Sequence, residues 1–172
     1  EMCIRDRGFK VFIALPEVLR QRKLKTYSDM TAAINEFDGV MIRNMDELGY
    51  IIENGYSGPV IADAGLYVYN DIACDFYREH TEDVSFVASQ ELTLDEIKNL
   101  SVEPALKIYG HQKVMVTANC ISGNYKHGCA DKKMDGTGDV LRLTDDIGNV
   151  FYVRNYCSDC YNVLYLSLIH IS

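Results

Sequence analysis

The feature that most constrains this chain is one pattern repeated from Phe9 to Tyr109. A short apolar run leads into a polar turn, and then into a segment with helix-start signals. The apolar runs are Phe9–Leu15 (FKVFIAL), Gly39–Ile42 (GVMI), Pro59–Ala62 (PVIA), Val84–Ala88 (VSFVA) and Ala105–Tyr109 (ALKIY). Helices are expected over Tyr27–Phe37, Asn44–Asn54, Asn70–Arg78 and Thr93–Leu100. Ser28 is a plausible N-cap, and both Asn44…Glu47 and Thr93…Glu96 stand in capping-box order, an N-cap oxygen followed three residues later by Glu. Leu48, Ile51 and Ile52 recur at helical spacing, as do Leu94, Ile97 and Leu100. Asn54-Gly55 signals a helix end. Continuously apolar strands alternating with capped helices read as a parallel sheet buried on both faces.

Five such units suit either an open doubly wound sheet or part of a barrel. No G-x-G-x-x-G follows any of the runs, so the dinucleotide fingerprint is absent. A closed (β/α)8 barrel takes about 250 residues, and this chain has 172. After Gly110 the pattern changes. Val114–Thr117 is a short apolar run, and Val140–Thr144 and Val150–Val153 flank Asp145-Asp146-Ile147-Gly148-Asn149, a β-hairpin signal.

Hydrophobic residues make up 48% of the chain, enough core material to exclude a disordered tail. No run of apolar residues is long enough to span a membrane as a helix. A net charge of -8 works against non-specific grip on nucleic acid. No secretory leader is visible, so a cytoplasmic location is expected and disulfides are disfavoured. The six cysteines, at 3, 74, 120, 129, 157 and 160, then need another reading. Cys120 and Cys129 sit in a stretch with Gly123 and Gly128, and Cys157 and Cys160 form C-x-x-C. Four thiolates fit structural zinc or an iron–sulfur cluster. Small core residues, free thiols or a redox pair remain open alternatives.

Polar residues close the apolar runs. Arg43 and Asn44 follow GVMI, Asp63 follows PVIA, Ser89 and Glu91 follow VSFVA, and Gly110 and His111 follow ALKIY. In parallel α/β architectures the carboxyl ends of the strands face the active site. These residues would bring an acid, a base and an anion-binding Arg to one pocket. The plainer alternative is that Asn44 caps a helix and Asp63 satisfies a turn.

The stretches GVMIRNMDELGYI (39–51), IADAGLYVYN (61–70), ELTLDEI (91–97), IYGHQKVMVTANC (108–120) and FYVRNYCSDCYNVLY (151–165) resemble the U32 peptidase family, the collagenase-like proteases. The likeness runs from about Gly8 to Tyr165. It implies a partial TIM-like (β/α) barrel over 8–118 with parallel strands, a cysteine-bearing segment with a β-hairpin over 119–165, and a further part of the barrel upstream. It implies nominal peptide-bond hydrolysis, in which Glu91 or Asp63 would be the catalytic base toward water, whereas in a hydroxylation reaction Arg43 and Asn44 would be the substrate-binding residues at the barrel mouth. Relatives that hydroxylate RNA bases or small aromatic precursors without oxygen hold an iron–sulfur cluster on four cysteines. Carried over, those ligands are Cys120, Cys129, Cys157 and Cys160.

Three functions are therefore carried forward: a peptidase, an iron–sulfur protein serving hydroxylation, and a zinc-stapled module without catalysis. Substrates would be peptide or RNA, with no membrane involved. Raw sheet edges would favour homo-oligomers. Residues 1–7 and 166–172 resemble translated adapter sequence and are expected to take no part in the fold.

Overall fold

The computed structural model describes residues 7–19, 30–119, 121, 140–157 and 159–170, with 167–170 described by backbone alone. The chain divides into two compact units, one ending at Lys107 and the other beginning at Ile108.

The first unit is a parallel sheet with helical crossovers. Its strands are β1 (Phe12–Ala14), β2 (Gly39–Ile42), β3 (Val60–Ala62) and β4 (Val84–Phe86), in spatial order β1-β2-β3-β4. The register aligns Val40 with Val60 and Val60 with Val84, then Ile42 with Ala62 and Ala62 with Phe86. Registered residues share a face. On this face Val40, Ile42, Val60, Ala62 and Phe86 are buried, with Leu15, Ile34, Leu48, Ile51, Cys74 and Tyr77 in the same core cluster. Each such aliphatic side chain contributes about 1.5–3 kcal/mol through burial. Burial also pushes the Cys74 thiol above its ordinary pKa, as suits a core residue.

The opposite face corrects the expectation of a sheet buried on both sides. There Ala14 aligns with Met41, Met41 with Ile61 and Ile61 with Ser85. Ala14 and Ser85 are exposed, and Met41 and Ile61 are half-buried. Apolar content alone does not say which of two apolar faces finds cover.

Three helices start where their caps stand, whereas the expected cap Ser28 lies outside the described residues. Residues 30–34 are helical. Helix α1 (Met45–Glu53) begins at Asn44, whose side chain accepts from Glu47 N at 2.9 Å. It ends in a Schellman motif: Gly55 N donates to Ile52 O and Tyr56 N to Ile51 O, with Gly55 at φ 65°. Helix α2 (Asp71–His80) begins at Asn70, which accepts from Ala73 N at 3.0 Å. Helix α3 (Leu94–Lys98) has both bonds of the Thr93/Glu96 capping box.

The fifth apolar run departs from expectation. Ala105 alone joins the parallel sheet, as a bridge to Val87, and Tyr109 already belongs to the next strand. Among the described residues the parallel sheet is open, since four strands are too few to close on themselves.

The second unit is an antiparallel sheet of β5 (Tyr109–Thr117), β6 (Val140–Thr144), β7 (Val150–Tyr156) and β8 (Tyr161–His170), in order β5-β8-β7-β6. Two expectations change here. The division between units falls at 107/108 rather than 118/119, because β5 pairs with β8. Residues 166–170, expected to lie outside the fold, continue β8: Gly110 aligns with Ile169 and His111 with Leu168. Residues 1–6, including Cys3, lie outside the described residues.

The hairpin at 144–150 forms as expected. Asp145 Oδ1 accepts from Ile147 N at 3.0 Å and Asn149 N at 2.7 Å, and Asp145 Oδ2 accepts from Asn149 Nδ2 at 2.7 Å. Those bonds, the Asn149 side chain first, hold the Asp145 carboxyl below the usual carboxylate range.

Two predictions follow from this packing. A Cβ on Gly39 would stand 2.2 Å from the Phe12 ring and 2.7 Å from Pro59 O, whereas one on Gly49 of α1 meets nothing within 4 Å. Gly39→Ala is therefore expected to lower the unfolding free energy, and Gly49→Ala to raise it by about 0.5–1 kcal/mol, both read by urea denaturation. Because the Asp145 pKa is depressed on folding, its contribution is present above the ordinary Asp value of about 3.9 and is lost as pH falls through the lower folded value. An acid titration of Asp145→Asn should lack that component. Identical acid profiles for the two proteins would contradict the assignment.

Candidate functional site

The carboxyl edge of the parallel sheet collects the polar residues that follow β2, β3 and β4. Each has a definite setting.

Arg43 leaves the end of β2 and is engaged by several neighbours, although its buried Nε has no hydrogen-bond partner among the described residues. Its guanidinium donates to Leu15 O at the end of the β1 segment, and its backbone N–H donates to the Glu47 carboxylate. Ion pairs join it to Glu47 at 3.6 Å and Glu17 at 3.8 Å. Glu47 is fully buried and Arg43 largely so. Asn44 is likewise engaged: beyond capping α1, its Nδ2 donates to Glu17 O at 2.9 Å. Arg43 and Asn44 therefore tie β1, β2 and α1 together. The Glu47 carboxylate reaches Arg43 N, one residue before the cap, where a full capping box would reach Asn44 N.

Asp63 stands differently. Its backbone N–H donates to Ile42 O at 2.9 Å, which continues the β2–β3 ladder by one step. It then leads the single 3-10 turn Ala64–Leu66, but its carboxylate makes no capping bond. Among the described residues it has no side-chain hydrogen bond or ion pair. A half-buried carboxylate at the carboxyl end of an interior strand is thus left available for chemistry.

Glu91 lies in the turn after β4, where Leu92 N donates to Ser89 O at 3.2 Å. Tyr69 Oη donates to Glu91 Oε2 at 2.7 Å, and Glu91 N donates to the buried Ser89 Oγ at 3.4 Å. The bond to Glu91 raises the pKa of the Tyr69 phenol, since ionising it would place two anions side by side. Tyr67, in the left-handed region at φ 53°, sets its ring 5.9 Å from that of Tyr69. The structure thus brings Glu91 to Tyr69, but makes no bond between Glu91 and Asp63.

His111 belongs to the second unit. It lies on β5, with its ring 5.9 Å from Tyr152 and 6.5 Å from Tyr165.

Of the four proposed metal ligands, Cys120 and Cys129 lie outside the described residues. Cys157 and Cys160 sit in the β7–β8 turn, and neither is in a disulfide. Cys160 adopts φ 54° and points its thiol at Cys157 O, 3.8 Å away. The turn is closed by Tyr156 and Tyr161, stacked at 4.6 Å, with Arg154 5.4 Å above the Tyr156 ring. Two thiols in one turn suit one side of a thiolate site. Among the described residues no group of three or more His, Cys, Asp or Glu is placed to hold a metal ion. Among them also, no helix is long and apolar enough to cross a membrane.

Residues not foreseen as parts of this edge are Glu17, Glu47 and Tyr69. Glu47 carried a signal, its capping-box position. Glu17 and Tyr69 carried none, because their partners are distant in sequence.

No protein-family model, curated protein or solved structure matches the chain.

Two outcomes test these settings. Asn44→Ala removes a helix cap and a tie to Glu17, and should cost about 1 kcal/mol or more in chemical denaturation. Glu91→Gln should return the Tyr69 phenol toward its ordinary titration, read by NMR of ring-labelled tyrosine. An unchanged Tyr69 titration would rule out Glu91 as the cause.

Proposed function

We propose that this chain is part of a U32-type, peptidase-like protein in which β1–β4 are part of a (β/α) barrel wall. The reaction assigned to it is hydrolysis of a peptide bond at the carboxyl edge of that wall, with Asp63 as general base. The observation that carries this reading is the available Asp63 carboxylate at the end of an interior parallel strand. The winding supports it. The strands run β1-β2-β3-β4 without reversal, so the sheet lacks the switch point at which doubly wound folds bind ligands. Right-handed crossovers without reversal put every helix on one side. In a barrel, the partly covered face with Ala14, Met41, Ile61 and Ser85 would then turn inward.

The chemistry follows from the residues. Asp63 accepts a proton from water as the water oxygen bonds to the peptide carbonyl carbon. The carbonyl electron pair moves to its oxygen. It returns as the C–N bond breaks, and the leaving nitrogen takes the proton back from Asp63. Glu91, held by Tyr69, contacts the substrate on the β4 side. Arg43 and Asn44 keep the edge in register.

A second reading rests on Cys157 and Cys160 sharing one turn, with the Cys160 thiol turned toward Cys157 O. With Cys120 and Cys129 they would hold an iron–sulfur cluster, which supplies electron transfer for oxygen-independent hydroxylation of an RNA base or small aromatic substrate, or else a structural zinc.

The deciding assay is cleavage of casein or gelatin by the full chain. Asp63→Asn should lower the rate about 100-fold or more, and Glu91→Gln should lower it less. No cleavage by the folded chain, or full activity in Asp63→Asn, would overturn the hydrolytic reading. Iron bound after anaerobic purification and lost in Cys157→Ser would favour the second reading. About one zinc per chain without cleavage would favour the stapled module.

A further inference from the structure

The opposite, amino-terminal edge of the same sheet carries a cleft of about 330 Å³. That volume lies at the lower end of the range of small-ligand sites. It opens between the helical residues 30–34, the C-terminal end of α1 and the loop into β3. Thr31, Asn35, Asp38, Asn54, Tyr56 and Ser57 are among its lining residues. We propose that this cleft binds a small organic cation through a primary ammonium group.

Two separate sources of negative potential meet there. The first is Asp38, an exposed carboxylate. Its Oδ2 accepts from Val11 N at 2.7 Å, which fixes the group and leaves Oδ1 for a ligand. The second is the C-terminal end of α1, which carries about half an elementary negative charge. Helices commonly offset that charge with Lys or Arg in the last turn, but α1 has no basic residue there. Gly55 and Tyr56 hydrogen-bond the last carbonyls without supplying a cation. Among the described residues no Lys, Arg or His lines the cleft.

The rest of the lining selects among cations. Asp38 is the one carboxylate lining it among the described residues, too few hard ligands for Ca²⁺, which takes six to eight oxygens, or for an octahedral Mg²⁺. Side-chain oxygens of Asn35, Asn54 and Ser57 suit the several N–H donors of an ammonium group. The Tyr56 ring, steadied by its hydroxyl bond to Pro59 O at 3.1 Å, offers an aromatic wall to a cation. An anion would meet repulsion from both Asp38 and the helix end. The site lies across the sheet from Asp63 and does not depend on the hydrolytic reading.

The test is calorimetric titration of the full chain with diaminobutane, beside butanediol as the uncharged match. Saturable millimolar binding of the diamine is expected. It should weaken as salt rises from about 0.02 to 0.2 M, and the diol should show no saturable binding. Asp38→Asn keeps an acceptor for Val11 N and should weaken the diamine at least about tenfold, the scale of one charge-assisted contact. Asn54→Lys brings the protein's own ammonium group to the helix end and should abolish binding while thermal stability holds or rises. Absence of diamine binding by the folded chain, equal binding of the diol, or unchanged affinity in Asp38→Asn would each overturn the proposal.

Discussion

Burial of one face of the parallel ladder is the constraint on which the first unit depends. Val40, Ile42, Val60, Ala62 and Phe86 lie in register on that face and share a core with Leu48, Ile51, Cys74 and Tyr77. Side chains alternate with a period of two, so a slip of one residue would expose the whole set. The register is therefore firmly specified, and with it the points at which each strand stops. Asp63 stands at the carboxyl edge because Ala62 must be the last buried residue of β3. Glu91 lies beyond β4, after the buried Ala88 and Ser89, and Asp38 precedes β2 at the other edge.

The polar groups at the carboxyl edge divide by how much freedom they retain. Arg43 draws the buried Glu47 and the Glu17 carboxylate together across β1, β2 and α1. Burying such charges costs several kcal/mol per ion before the attraction is counted. A pairing of this kind therefore holds geometry more than it adds stability. Asp63 is the counterpart: its backbone is pinned while its carboxylate has no side-chain partner among the described residues.

Much of this was legible in the sequence where the determining interaction is local. The Asn44 and Asn70 caps, the Thr93/Glu96 box, the Asn54-Gly55 helix end and the Asp145–Asn149 hairpin each close within a few residues. Their residue types say what they do. The positions of Asp63 and Glu91 after their strands were legible too, from the apolar runs that precede them. The partners were not. Nothing near Arg43 in sequence announces Leu15 O or Glu17, and nothing near Glu91 announces Tyr69. The Ala105–Tyr109 run shows the same limit. It is apolar enough for a fifth parallel strand, yet Ala105 forms one bridge and Tyr109 pairs with His170.

By itself the sequence determined the kind of element over most of the first unit, its first four short strands and the starts and ends of its capped helices, and in the second unit where the hairpin turns. Those choices rest on backbone preferences and hydrogen bonds spanning a few residues, so the local residue types suffice. Only the tertiary structure decided which apolar face of the sheet is covered, that β8 continues through 166–170 to pair with β5, and which polar residues at the strand ends are occupied by structure and which stay available. Those outcomes depend on contacts between residues far apart in the chain. Their free energies are decided by which groups share a buried space, and that is a property of the assembled fold.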